Sequence, residues 1–239
     1  MFNFIPNGQN KNLSTYRAIS ATEPSSVIAE QYRKIRTNID LSNLDEPIKT
    51  IAITSSMGGE GKSVTAINLA TVYAQSEIKT LIIDLDLRKP KIHRGFDLIN
   101  ENGIADVIVH GYPLDKAIRK INEFLYVLPS GSKLPFPSEF LTSTKFKNAL
   151  QEIISQYDRV IIDTPPVNAV ADAVIIGKQV DGTLFVIASR STTVDTAQSV
   201  LKNLQENKIN VLGAVLTRVH KKDHRYLNYY SYAYAESKD

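Results

Sequence analysis

The chain has 239 residues, 43% of them hydrophobic, and its 28 Lys and Arg against 25 Asp and Glu leave a net charge of +3. That is enough apolar material for one substantial core and too little positive charge to imply a nucleic-acid ligand. The absence of cysteine removes disulfide frameworks and thiolate metal sites, and it fits a reducing compartment.

The longest apolar runs are of strand length, well short of the ~20 residues that cross a bilayer. Met1-Phe2-Asn3-Phe4-Ile5-Pro6-Asn7 lacks the basic start and apolar centre of a signal peptide. A cytoplasmic location is therefore expected unless a partner holds the chain elsewhere.

Residues 1–20 are polar, rich in Asn and Ser, and read as a flexible arm. A helix follows in which Ile28, Tyr32, Ile35 and Ile39 form one stripe that should pack on a core, with Glu30 and Arg33 opposite and Arg36 on the flank. Taken alone, that charged side reads as a solvated face. Thr50-Ile51-Ala52-Ile53-Thr54 is a buried strand, and Val64 to Ala70 a helix with small and apolar residues on its packing face.

Between them lies Ser56-Met57-Gly58-Gly59-Glu60-Gly61-Lys62-Ser63, a phosphate-binding loop in its required strand, loop, helix context. Its glycines let backbone N–H groups face phosphate oxygens, and the helix start adds a positive dipole end. Lys62 is placed to neutralise β/γ-phosphate charge, and Ser63 to ligate Mg²⁺. Ser56 departs from the general pattern, where a glycine stands. The loop from Gly58 to Val64 is thus the expected ATP site.

Thr80 to Asp86 reads as a second buried strand, ending in Asp84 and Asp86, and further strands are expected at Phe124 to Leu128, Gly182 to Ala188 and Val211 to Thr217. In the proline-punctuated loop Gly131 to Glu139, Ser138 has the chemistry of a helix N-cap. Helices are expected at Lys145 to Gln156, Ala169 to Lys178 and Asp195 to Asn207. Arg159-Val160-Ile161-Ile162-Asp163 is a strand whose terminal carboxylate would hold Mg²⁺ directly or through water. Alternating strands and helices imply one α/β domain, a P-loop NTPase with a doubly wound, mostly parallel sheet flanked by helices. Ligands of such sheets sit beyond the carboxyl ends of the strands, where all three aspartates fall.

After the basic run Lys221-Lys222-Asp223-His224-Arg225, the chain ends in a cluster of Tyr226, Tyr229, Tyr230, Tyr232 and Tyr234. It has no helical periodicity. A phenol of pKa ~10 is a poor nucleophile, but a carboxylate at the γ-phosphate could accept its proton during phosphoryl transfer.

Together these residues resemble the bacterial tyrosine kinases that regulate capsule and exopolysaccharide synthesis, of the kind found in Firmicutes. The resemblance runs through Ser56 to Ser63, Leu81 to Arg88, Val160 to Pro166, Arg88 to Phe96, Gly103 to Asp106, Pro137 to Leu141 and the terminal tyrosines, and so covers nearly the whole chain. It implies an arm over 1–20, a kinase domain over 21–220 and a tyrosine-rich tail over 221–239. It also matches Glu30, Arg33 and Arg36 to the family's E-x-x-R-x-x-R oligomerisation motif, leaving that face for a neighbouring subunit.

The mechanism implied by the resemblance has Lys62 on the β/γ-phosphates and Mg²⁺ held by Ser63, Asp86 and Asp163. Asp84 is the base or, alternatively, a positioner of metal and water. The tail of one subunit would enter the site of another in a homo-oligomeric ring, and each phosphate would add about −1.5 to −2 charge that ejects the tail and loosens the ring. Implied partners are a transmembrane modulator that recruits the chain to the inner face of the membrane, protein-tyrosine substrates and an opposing tyrosine phosphatase. Two other readings stand beside this one. A ParA/MinD-like ATPase shares the sheet, but the lysine that marks its loop is replaced by Met57 and the tail is no amphipathic membrane helix. A nucleotide-gated scaffold would bind ATP and transfer nothing.

Overall fold

The computed structural model describes residue 16, residues 18–42 and residues 47–219; the tail tyrosines and residues 1–15 lie outside the described residues. In chain order the elements are α1 (Ile19–Thr22), α2 (Val27–Ser42), β1 (Thr50–Ser55), α3 (Lys62–Ala74), β2 (Thr80–Asp84), α4 (Ile92–Gly95), α5 (Ile104–His110), α6 (Leu114–Ala117), β3 (Arg119–Lys120), β4 (Leu125–Leu128), α7 (Pro137–Thr142), α8 (Thr144–Ser155), β5 (Arg159–Asp163), α9 (Asp172–Gly177), β6 (Gly182–Ala188), α10 (Val194–Glu206) and β7 (Val211–Thr217).

The strands form one seven-stranded sheet in the order β3-β4-β2-β5-β1-β6-β7. All pairings are parallel except that of the two-residue edge strand β3 with β4. The central strands are apolar on both sides because helices cover both faces. Ile51, Ile53, Ile82 and Ile161 point into one core with Tyr32, Ile39, Ile67 and Tyr73, under α2 and α3. Ala52, Leu81, Ile83, Val160 and Ile162 point into the other with Phe146, Leu150 and Ile153 of α8. A third cluster joins Phe185 to Val200 and Leu204 of α10. Since β5 sits between β1 and β2, the aspartates ending β2 and β5 converge on the loop that follows β1.

The structure shifts several sequence expectations. The N-terminal segment is docked by residue 18, where the arm was expected to run to residue 20: Ala18 is buried, the Ser20 amide donates to Asn68 Oδ1 at 2.8 Å, and Gln75 Nε2 donates to the Ser20 carbonyl at 2.7 Å. On α2 the packing face is Ala29, Tyr32 and Ile39, with Ile35 half-buried; Ile28, in the first turn, is 49% exposed. Asp86 lies two residues beyond the end of β2, in a turn. Ser138 is inside α7, since Pro137, whose missing N–H costs nothing at a helix start, takes the first position and Phe136 the cap. The helix expected from Ala169 is confined to Asp172–Gly177, and β3 is too short for any periodic signal.

Candidate active site

The loop after β1 reaches α3 through two left-handed glycines, Gly59 at φ +84° and Gly61 at φ +96°. Gly61 is doubly constrained, because a Cβ there would also stand 3.3 Å from Thr217 Cγ2. Among the described residues no side chain caps the start of α3, and its first turn carries no acid, which suits the amides there to an anion.

Other parts of the loop are tied down by the protein itself. The buried Glu60 carboxylate turns inward and accepts from the Ser56 amide at 2.8 Å and the Met57 amide at 3.1 Å, and its other oxygen takes the Thr192 hydroxyl. The Glu60 carbonyl accepts from Thr217 Oγ1 at 2.6 Å, and the Gly59 carbonyl from the Arg218 guanidinium. The end of β7 therefore grips the phosphate-binding loop. Glu60 is a loop-shaping residue; a carboxylate bound to amides at the loop's start is not itself placed to meet phosphate.

Lys62 projects into the sheet's carboxyl edge, where its Nζ lies 2.7 Å from Asp86 Oδ2 and 3.8 Å from Asp163 Oδ1. Burial opposes its charge, but Asp163 and Asp86 together raise its pKa above the usual lysine value. Asp86 is further held by the Lys89 amide, 3.1 Å from Oδ1. Asp163 is fully buried and, among the described residues, neither of its oxygens accepts a hydrogen bond; burial raises its pKa against the pull of Lys62 and the nearby Ser63 hydroxyl.

Asp84 has a different setting from the other two. Its Oδ2 accepts from the Lys91 amide at 2.8 Å and the Ile92 amide at 2.9 Å, and its Oδ1 from the Asp86 amide at 3.2 Å. It thus shapes the whole turn from Asp86 to α4. Burial first, and then the Asp163 charge, push its carboxyl up to about 7 in spite of those amides.

The donor set fits a magnesium nucleotide. Buried carboxylate oxygens without partners are costly unless something meets them, and a small divalent ion or its water does so at Asp163. Among the described residues no cluster of three His, Cys, Asp or Glu side chains could hold a metal alone. Mg²⁺ needs none, since it is commonly held by one or two carboxylates with phosphate oxygens and water completing its shell.

One cluster at the rim joins residues whose link the sequence does not show: Arg88 and Ser138 lie within the family-like runs, but Asp172 belongs to none of them. Asp172, fully buried at the start of α9, takes Arg88 Nε at 2.8 Å and Nη2 at 3.3 Å, and the Ser138 hydroxyl at 2.5 Å. This joins the Asp86 turn to α7 and α9. Of the α2 residues, Arg33 pairs with Glu30 at 2.8 Å and also donates to the Pro24 carbonyl at 3.0 Å. Arg36, on the flank of the helix, bends onto α3 and donates to the Val72 carbonyl at 3.0 Å and to Ser76. The five tail tyrosines lie outside the described residues.

Residues 48–211 match the AAA domain family. The chain is 43% identical over 213 residues to the tyrosine-protein kinase YwqD of Bacillus subtilis, covering 89% of this chain and 90% of that one. Its fold is similar to the crystal structure of the chimerical protein CapA2B2, with a TM-score of 0.81, 38% identity and coverage of 85% and 90%. It is also similar to the kinase domain of the Escherichia coli tyrosine kinase ETK, with a TM-score of 0.79, 28% identity and coverage of 90% and 87%. MinD of Aquifex aeolicus shares the fold at 23% identity and a TM-score of 0.60.

Proposed function

The chain belongs to the bacterial tyrosine-kinase family and is a protein-tyrosine kinase; from that premise we propose that it autophosphorylates its own tail in trans and thereby regulates capsule or exopolysaccharide synthesis. The observation that carries the site assignment is the convergence of Lys62, Asp86 and Asp163 at one end of β5, where Asp163 is paired with Lys62 at 3.8 Å and, among the described residues, accepts no hydrogen bond. On binding, the α3 amides and Lys62 take the nucleotide's phosphates, and Lys62 leaves Asp86 to do so. Ser63, Asp86 and Asp163 would hold Mg²⁺, which would supply neutralisation of the phosphate charge.

Asp84 is assigned to the turn instead of the base role, because three backbone amides already engage its two oxygens. Asp86, freed from Lys62, would be the carboxylate available beside Asp163 to position Mg²⁺, and the phenolic proton, lost late in a dissociative transfer, would pass to water. The acceptor comes from Tyr226, Tyr229, Tyr230, Tyr232 or Tyr234 of a neighbouring subunit. Glu30 and Arg33, on the outer face of α2, are proposed contacts in the resulting ring, and Arg36 supports that helix from behind. A transmembrane modulator and a tyrosine phosphatase complete the proposed cycle. Among the described residues no helix is long and apolar enough to cross a membrane, so membrane recruitment would fall to the modulator.

Met57, 55% exposed at the loop's tip, replaces the lysine of the ParA/MinD-like pattern and argues against that reading. The deciding experiment incubates the purified chain with ATP and Mg²⁺, with and without a modulator's cytoplasmic segment, followed by intact mass and peptide mapping. Single-phosphate increments on the tail, absent in Lys62→Met, are expected. ATP turnover or binding without phosphotyrosine would favour the ATPase or scaffold.

A further inference from the structure

Six tyrosines fall among the described residues, and they differ in what surrounds them. Tyr32, Tyr73 and Tyr157 are at most 9% exposed and closed to any active site. Tyr126 is half-buried with its hydroxyl already donated to the Glu123 carbonyl. Tyr112 is half-buried and, among the described residues, has no cation on its ring. Tyr16 is half-buried, stands before α1 outside any helix or strand, and is flanked by two cations: Lys91 Nζ lies 5.6 Å and the Arg94 guanidinium carbon 6.0 Å from its ring centre.

We propose that Tyr16 is a second phosphoacceptor of this kinase, and that Lys91 and Arg94 form the receptor for its phosphate. The proposal rests on the trans-autophosphorylation reading above. Tyr16 Oη attacks the γ-phosphorus of ATP in a neighbouring subunit, the bond from that phosphorus to the β,γ-bridging oxygen breaks, ADP leaves, and the phenolic proton passes to a site carboxylate or water.

The receptor's geometry follows from α4. Lys91 and Arg94 are three residues apart, hence on one side of the turn that opens this helix. That turn is fixed in place: the Lys91 and Ile92 amides are bound by Asp84, and a Cβ at Gly95 would stand 2.8 Å from the Tyr16 carbonyl, so the two backbones are in close approach. A phosphate of about −1.5 to −2 charge on Tyr16 exchanges two cation–π contacts for charge-assisted hydrogen bonds, which are stronger. It would strap the N-terminal segment to the turn that Asp84 organises.

The test is phosphopeptide mapping of the full chain after incubation with ATP and Mg²⁺, with Tyr16→Phe and Lys62→Met alongside, followed by timed treatment of the phosphorylated chain with a broad tyrosine phosphatase. Expected is one phosphate on the peptide containing Tyr16, absent in both variants, with tail labelling kept in Tyr16→Phe. Its removal by the phosphatase should be several-fold slower than removal from the tail, and Arg94→Gln should abolish that difference. Tail phosphate with an unmodified Tyr16 overturns this inference alone; removal at the same rate as the tail overturns the receptor. Phosphate on neither segment overturns the autophosphorylation reading itself.

Discussion

Asp84 and Asp163 are register partners at the ends of the adjacent parallel strands β2 and β5, so two fully buried carboxylates finish side by side. They are resolved by different partners: Asp84 takes backbone amides, and Asp163 keeps its oxygens for the site. Asp84→Asn puts an N–H₂ where one of those amides must donate, so the turn carrying Asp86 should loosen. Expected is a loss of transfer together with a comparable loss of Mg²⁺–ATP affinity, read by calorimetric titration and a phosphotyrosine assay. Loss of transfer with affinity intact would return Asp84 to the role of base.

Lys62→Met should abolish transfer and also destabilise the protein. It leaves Asp86 and Asp163 buried without their cation, a change that costs about 3–5 kcal/mol when both stay ionised. Asp163, already raised by burial, loses the lysine that pulls it down and titrates higher still when folded, so the folded variant binds more protons and the deficit grows as pH rises. Urea unfolding at pH 5 and pH 8 should show the larger deficit at pH 8. An equal deficit at both would mean that the lysine is not balancing these charges.

Asp172→Ala removes two bonds to Arg88 and one to Ser138 in a single change. A loss of about 2 kcal/mol is expected in urea unfolding, with Ser138→Ala costing about 1 kcal/mol. The Asp86 turn should also lose definition, raising KM for Mg²⁺–ATP. A silent Asp172→Ala would show that the clasp is not holding that turn.

Asp106 gives the protein an acid-sensitive contact between the start of α5 and the loop after β4. Burial alone would raise its carboxyl, but the Ser132 hydroxyl and the Gly103 and Ser132 amides outweigh it and lower the pKa. The folded value lies below the unfolded one, so this contribution is complete above the unfolded pKa and disappears as pH falls through the folded one. Asp106→Asn should flatten the acid limb of stability against pH between roughly pH 5 and 3. An unchanged limb would exclude the contact as its source.

The parts of this molecule that were legible in its sequence are those whose signal is local. The strands Gly182–Ala188 and Val211–Thr217 appear with the bounds their apolar runs imply, and the P-loop glycines announce the turn they make. The family motifs likewise marked Lys62, Asp86 and Asp163 before their convergence was visible. What stayed hidden spans distance. Arg88 and Asp172 are 84 residues apart, Glu60 and Thr192 are 132, and Glu60 and Thr217 are 157. No window of sequence contains such pairs. Ser138 failed as a cap for a local reason, since Pro137 claimed the helix start first. The turn of Arg36 onto α3 was equally hidden, because a long side chain on a flank can turn either way and only the position of α3 decides.

Thr217 and Arg218 hook the end of β7 onto Glu60 and Gly59, and the tyrosine tail begins directly after them. Tail and catalytic loop are therefore parts of one machine and are not separately portable. A chimera joined after residue 219 would carry a foreign tail on a native loop; one joined before Thr217 would exchange the loop's fastening as well, and any change in turnover would say as much about the graft as about the tyrosines it brought.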